Sequence, residues 1–253
     1  ISLDDQEKMH EKDSNKKDSS LSNFIVDCIE FTKPNVIGNM KPGSWRKIFP
    51  NTAKELFFQK SINCTFIPII YVFQEVFSSV ISIQNIKTAL SKGYSDLFKN
   101  TSIREKVMII LKKQGKQTLF NSVESGKMDF ETALFSDDYY ITDLDIWIIS
   151  TQAKLPIILF TATSLKSLSL PVQWLKLGGR NTSNEKYYFI RSPAEMKKDI
   201  PSSYHIIQSG YPLNQLNDEM FMKSEIGDQE YKKNRQSLSD FLTTTTFISK
   251  KKN

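Results

Sequence analysis

Cysteine and histidine are nearly missing from this sequence. Among 253 residues there are two cysteines, Cys28 and Cys64, and two histidines, His10 and His205. Two widely spaced cysteines give neither a disulfide framework nor a zinc-ligand spacing, so a reducing compartment is expected. No apolar run approaches the roughly 20 residues that a membrane-spanning helix needs. The longest, Phe66–Phe77 and Leu155–Phe160, match a buried helix and a buried strand. Glycine-rich phosphate loops, HExxH and GxSxG are lacking, which removes nucleotide, zinc-protease and serine-hydrolase signatures. No cofactor or metal is implied. The positive excess is small: 34 Lys and Arg against 28 Asp and Glu, a net charge of +6. Without dense basic clusters, that charge does not call for direct nucleic-acid binding. The chain starts at Ile1 with no initiator Met and no signal-peptide pattern, so the expectation is a C-terminal part of something larger.

What is present is an ordinary globular composition, 39% hydrophobic and 25% charged, with 17 Phe to build a core. Residues 1–20 carry acids, lysines and almost nothing apolar. Such a segment cannot offset its ordering entropy, so it reads as a flexible linker, with His10 solvated inside it. Residues 21–215 read as one α/β domain. Residues 216–253 read as an extended basic tail, ending in "TTTTFISKKKN".

Within the domain, helices come first. Phe24, Cys28 and Phe31 share a helical face. "KPNVIGNMKPGS" is a loop, and "SWRKIFPNTAKELFFQ" a short helical pattern broken at Pro50. A buried helix starts close to Cys64, because Pro68 is tolerated only in a first turn. Two amphipathic helices follow at about 84–99 and 101–114, and "QGKQTLFNSVESGK" reads as a loop with two glycines. Thr142 caps a helix with Asp143 and Asp145 in its first turn. "KLPIILFT" then reads as a central strand, and "VQWLKL", "KYYFIRS" and "YHIIQS" as further strands. Helices followed by a small mixed sheet make this an α+β, three-layer domain.

Cys64 is the one candidate nucleophile. A helix N-terminus can lower a thiol's pKa, but a catalytic cysteine also needs a base, and His205 is the only histidine outside the linker. Buried cysteines also serve simply as core filler. The acids Asp137, Asp138, Asp143 and Asp145 could suggest metal or acid–base work, but their place at a helix start favours capping. The aromatics of "KYYFIR" could stack on bases, or simply alternate on a half-buried strand.

"SINCTFIPI", then "YYITDLDIWIISTQAKLPIILF", then "WLKL" and "KYYFI" resemble, in that order, an OTU-type cysteine peptidase domain. The likeness is strongest to OTU-like domains in large proteins of nucleocytoplasmic large DNA viruses. It spans about residues 45–195. The resemblance puts Cys64 on the family's nucleophile and Phe66 on the apolar residue after it. Ser61 and Ile62 stand where the family has Asp and Gly, and Tyr187 where it has the catalytic His, followed by Tyr188. A phenol cannot replace imidazole near neutral pH. His205 rescues the base only if another strand alignment carries it to Cys64.

The implied function is a non-catalytic interaction module of a large viral structural protein, found in the virion and host cytoplasm. Its partners are viral proteins, either capsid components or RNA polymerase subunits. The tail would insert as a peptide, with Phe247 and Ile248 as anchors and Lys250, Lys251 and Lys252 meeting acidic walls. The alternative is an active deubiquitinating isopeptidase with Cys64 and His205 as its catalytic pair and a ubiquitin-like protein as substrate.

Overall fold

The computed structural model describes residues 23–34, 53–161, 173–180, 185–193 and 196–208. The linker at 1–20 with His10, and the tail at 216–253 with Phe247, Ile248 and Lys250–Lys252, lie outside the described residues. The domain is α+β, as its composition and patterning indicate. After a helical segment at 23–28 come two strands, β1 (Ile29–Pro34) and β2 (Lys54–Phe58), ahead of the remaining helices. A 3-10 turn at Asn63–Phe66 leads into α1 (Ile67–Phe77). Then come α2 (Ile83–Phe98), α3 (Thr101–Lys113), α4 (Gln117–Glu124), α5 (Phe130–Phe135) and α6 (Asp143–Ala153). The described residues close with β3 (Ile157–Thr161), β4 (Gln173–Leu177), β5 (Tyr188–Ser192) and β6 (His205–Gln208).

The six strands of the described residues form one sheet in the order β1-β2-β6-β5-β3-β4. Only β3 and β5 run parallel; the other neighbours are antiparallel. The sheet is therefore not purely C-terminal. The helical reading of Phe24, Cys28 and Phe31 holds over 23–28 and gives way to β1 at Ile29. Part of the helical pattern read over "SWRKIFPNTAKELFFQ" is strand β2, and the "QGKQTLFNSVESGK" loop contains α4.

Local chemistry explains the helices that position the site. Pro68 sits in the first turn of α1, where its missing N–H costs nothing. Ser82 and Asn100 cap α2 and α3 by accepting from main-chain N–H groups. Thr142 and Asp145 form a reciprocal capping box on α6. Strand alternation then sorts the sheet's side chains between two faces. Leu56, Phe58, Ile157, Leu159, Ile190 and Ile206 join the helices in one apolar core. Their neighbours Ile158, Phe189 and Ile207 are also buried but lie outside that core cluster, on the opposite face.

Candidate functional site

Cys64 occupies the second position of the 3-10 turn ahead of α1, where the sequence places it. Its N–H donates to the Ser61 hydroxyl at 3.3 Å, so Ser61 acts as a local cap. Thr65 holds the same turn: its hydroxyl donates to the Ile62 carbonyl at 2.6 Å and accepts from the Ile141 N–H at 3.0 Å.

The sulfur, however, is not a free thiol. Cys64 forms a disulfide with Cys28, with their Cα atoms 5.6 Å apart, and no free cysteine remains. This corrects the expectation that the two cysteines are unpaired. The antiparallel pairing of β1 with β2 brings them together: Ile29 pairs with Phe58, and the Gln59 N–H donates to the Cys28 carbonyl at 2.9 Å. Five residues later the chain reaches Cys64. Both cysteines are buried in the core.

His205 is not brought to Cys64. It pairs with Phe57 across β2 and with Arg191 across β5. Its Nδ1 lies 2.8 Å from Glu55 Oε1, and its ring packs 4.0 Å from that of Phe57. Arg191 donates to both Glu55 oxygens, at 3.0 and 3.3 Å. Burial opposes ionisation of Glu55, yet the hydrogen bond from His205 and the charge of Arg191 outweigh it and hold the carboxyl below its ordinary value. Glu55, Phe57, Arg191 and His205 share one face of the sheet. Cys64 belongs to the apolar core on the other, with Leu56, Phe58 and Ile206.

Tyr187, at the position where the resemblance expects histidine, is buried just before β5, its hydroxyl 3.4 Å from Glu185 Oε2. Tyr188 instead meets Tyr71 of α1 edge-on at 6.5 Å. Neither tyrosine presents an open face for base stacking.

The acids at the start of α6 are structural, and more connected than their sequence positions reveal. Asp145 accepts from the hydroxyls of Tyr94 and Tyr139 at 2.7 and 2.5 Å and from the Thr142 N–H at 2.8 Å. Its other partner is Lys116, whose ammonium is 2.5 Å away and 4.0 Å over the Tyr139 ring; both charged side chains are fully buried. Burial pushes Lys116 below its ordinary value, against the pull of Asp145. Asp143 accepts from Ser192 and Tyr204, at 2.8 and 2.6 Å, tying α6 to β5 and β6, while burial raises its pKa. Among the described residues, no group of three His, Cys, Asp or Glu could hold a metal, and no helix is long and apolar enough to cross a membrane.

Two cavities flank the loop before Cys64. The smaller, about 360 Å³, lies between Ile62, α4, Tyr140 and the turn at 196–201. The larger and more open, about 790 Å³, runs between Phe24, Ser61–Asn63, the start of α2 and Asp137. Ile62 borders both, and Asp137 and Asp138 lie on either side of the divide. Sequence reasoning missed Lys116 and Tyr140 here. The available signal was Gly115 beside a lysine, and a Tyr pair just ahead of the capping box. No protein-family model, curated protein or solved structure matches the chain.

Proposed function

We propose that this chain is a non-catalytic protein-interaction module on an OTU-like scaffold, within a large viral structural protein of the virion and host cytoplasm. It docks on viral capsid components or RNA polymerase subunits, with the C-terminal tail as an inserting peptide. One observation carries the non-catalytic part: the sulfur of Cys64 is bonded to Cys28, while the only histidine among the described residues lies across the sheet, held by Glu55. A thiol chemistry needs a thiolate and a base within hydrogen-bond reach. The cleft beside the cysteine loop remains as a place for a polypeptide.

Ubiquitin carrying a C-terminal electrophile tests this directly. No covalent adduct should form, with or without a dithiol reductant. An adduct that disappears in Cys64→Ala would overturn the reading in favour of an active isopeptidase. Removing residues 232–253 should weaken co-purification with the viral partner; unchanged capture would sink the role given to the tail.

A further inference from the structure

The disulfide also ties a short segment to the wall of the larger cleft. Residues 23–28 form one helical stretch. A helix this short is not stable alone, so its contacts with the domain decide whether it stays in place. Among the described residues they are few. Phe24 and Ile25 pack half-buried against the core, whereas Asn23, Val26 and Asp27 are exposed, Val26 to 64%. The Gln59 side-chain amide donates to the Asp27 carbonyl at 3.0 Å. At Cys28 the hold becomes firm: its carbonyl accepts from the Gln59 N–H, and its sulfur is bonded to Cys64.

The two ends of the disulfide differ in what else secures them. Cys64 sits in a turn fixed by the hydrogen bonds of Ser61 and Thr65, and α1 follows at once. The segment ahead of Cys28 takes its direction from the disulfide. The main chain is pinned to β2 at Cys28, and the sulfur bridge sets how residues 23–27 leave that pin. Phe24 stands one helical turn before Cys28, on the same face. It lines the cleft of about 790 Å³ together with Ile62, Asn63, Ile83 and Lys87. The bond, the segment and the cleft wall are therefore one mechanical unit.

We propose that the Cys28–Cys64 disulfide is a redox latch. Oxidised, it holds residues 23–27 as a strap with Phe24 against the cleft; reduced by a dithiol, it lets the strap swing away about Cys28 and widens the cleft. Cys28 and Cys64 are only 3% and 5% exposed, so the reductant gains access when the weakly held strap opens locally. A thiolate of the dithiol attacks the Cys28 sulfur, the S–S bond breaks, and Cys64 leaves with the electron pair and takes up a proton. The second thiol then displaces Cys28 from the mixed disulfide. Two electrons and two protons have passed to the protein, and the reductant ends as its own disulfide. Such bonds persist in oxidising surroundings and are lost where thioredoxin and glutathione keep thiols reduced, so the strap follows the compartment. That an open strap exposes the docking place of a polypeptide rests on the interaction-module reading; the latch itself does not.

The test compares the full chain, oxidised and in dithiothreitol, by NMR relaxation, iodoacetamide labelling and limited chymotrypsin digestion. Without denaturant, reduction should raise labelling from no thiol to both cysteines. Backbone order parameters at Phe24–Asp27 should fall below about 0.6, the range of flexible chain. Cleavage after Phe24 should speed up about tenfold or more, as expected for a locally released segment. Amides of Asn63 and Ile83 should shift, while those of Thr32, Leu56 and Val72 stay in place, and oxidised dithiothreitol should restore the starting spectrum. Cys28→Ser and Cys64→Ser should each show the released strap without reductant and ignore its addition. A strap that stays ordered after both thiols are labelled would overturn the proposal. So would loss of the β1, β2 and α1 signals together with the strap, or a disulfide that dithiothreitol cannot reduce in the folded chain. No arm uses ubiquitin or a partner, so failure here leaves the non-catalytic reading standing, and failure of that reading leaves the latch.

Discussion

The disulfide offers the sharpest quantitative test, because a cross-link and two buried thiols make different predictions. Cys28 and Cys64 are 36 positions apart. On the chain-entropy model, closing such a loop in the unfolded state is worth about 4 kcal/mol. A domain of this kind has a total stability of about 5–15 kcal/mol, so the loss would be large. With a urea slope of about 2–3 kcal/mol/M, reduction should lower the unfolding midpoint by about 1.3–2 M. Cys28→Ala and Cys64→Ala should each lose the cross-link and a little packing. The double variant should then cost scarcely more than either single one, a coupling of about 4 kcal/mol. Reductant should shift the wild-type curve and leave all three variants unmoved. If the cysteines were only core filler, the single costs would add and the reductant would do nothing; that outcome would refute the reasoning. Hydrogen exchange adds a local readout. Residues 23–28 should lose protection on reduction before β1 does, because β1 keeps its ladder with β2.

Two further perturbations probe the networks around the site. Lys116→Met leaves the buried Asp145 carboxyl without its cation, and should cost about 3–5 kcal/mol. Lys116→Met with Asp145→Asn should cost clearly less than the two single changes summed, as read from urea midpoints; strict additivity would show that the pair does not interact. Glu55 has a folded pKa below its ordinary value of 4.5, so its contribution is present above that value and is lost as pH falls through the folded one. Stability should therefore drop more steeply between pH 5 and pH 3 in the wild type than in Glu55→Gln; parallel pH profiles would rule Glu55 out as an acid trigger.

The parts of the fold that were legible in sequence are those specified locally. Pro68 fixes the start of α1, Thr142 with Asp145 caps α6, and the short apolar run after Lys154 is β3. What was not legible depends on partners distant in sequence. The pairing of Cys28 with Cys64 follows from the register of β1 on β2, which no spacing rule encodes. The helical period through Phe24 and Cys28 is real, but the chain turns to strand at Ile29 when β2 becomes available. Helix α4 is only eight residues long and has no side-chain cap of its own. Asp199, 81 positions away, accepts from its Thr118 N–H instead. Asp143 and Asp145 were read as capping acids, and Asp145 does cap. The tyrosines and the lysine that converge on it come from three other segments.

The fate of a catalytic site here is decided by the sheet rather than by the cysteine helix. Reduction would free a thiol at Cys64, but it would not supply a base. His205 can reach the cysteine's face only if β6 slips by one residue against β2, since side chains alternate with a period of two. That slip would also carry Ile206, paired with Leu56 and packed in the core, to the opposite face. It would break the contact of His205 with Glu55 and displace Tyr204, whose hydroxyl holds Asp143 at the start of α6. Burial of one large aliphatic side chain is worth about 1.5–3 kcal/mol, and the lost polar contacts add to it. β6 lies inside the sheet, between β2 and β5, so the movement is a refolding of the sheet's centre and not a rotamer change. The register of β1 on β2 seats Cys28 beside Cys64, and that of β6 on β2 keeps His205 on the opposite face, so the two pairings of one strand set both the cross-link and the separation of the histidine from the cysteine.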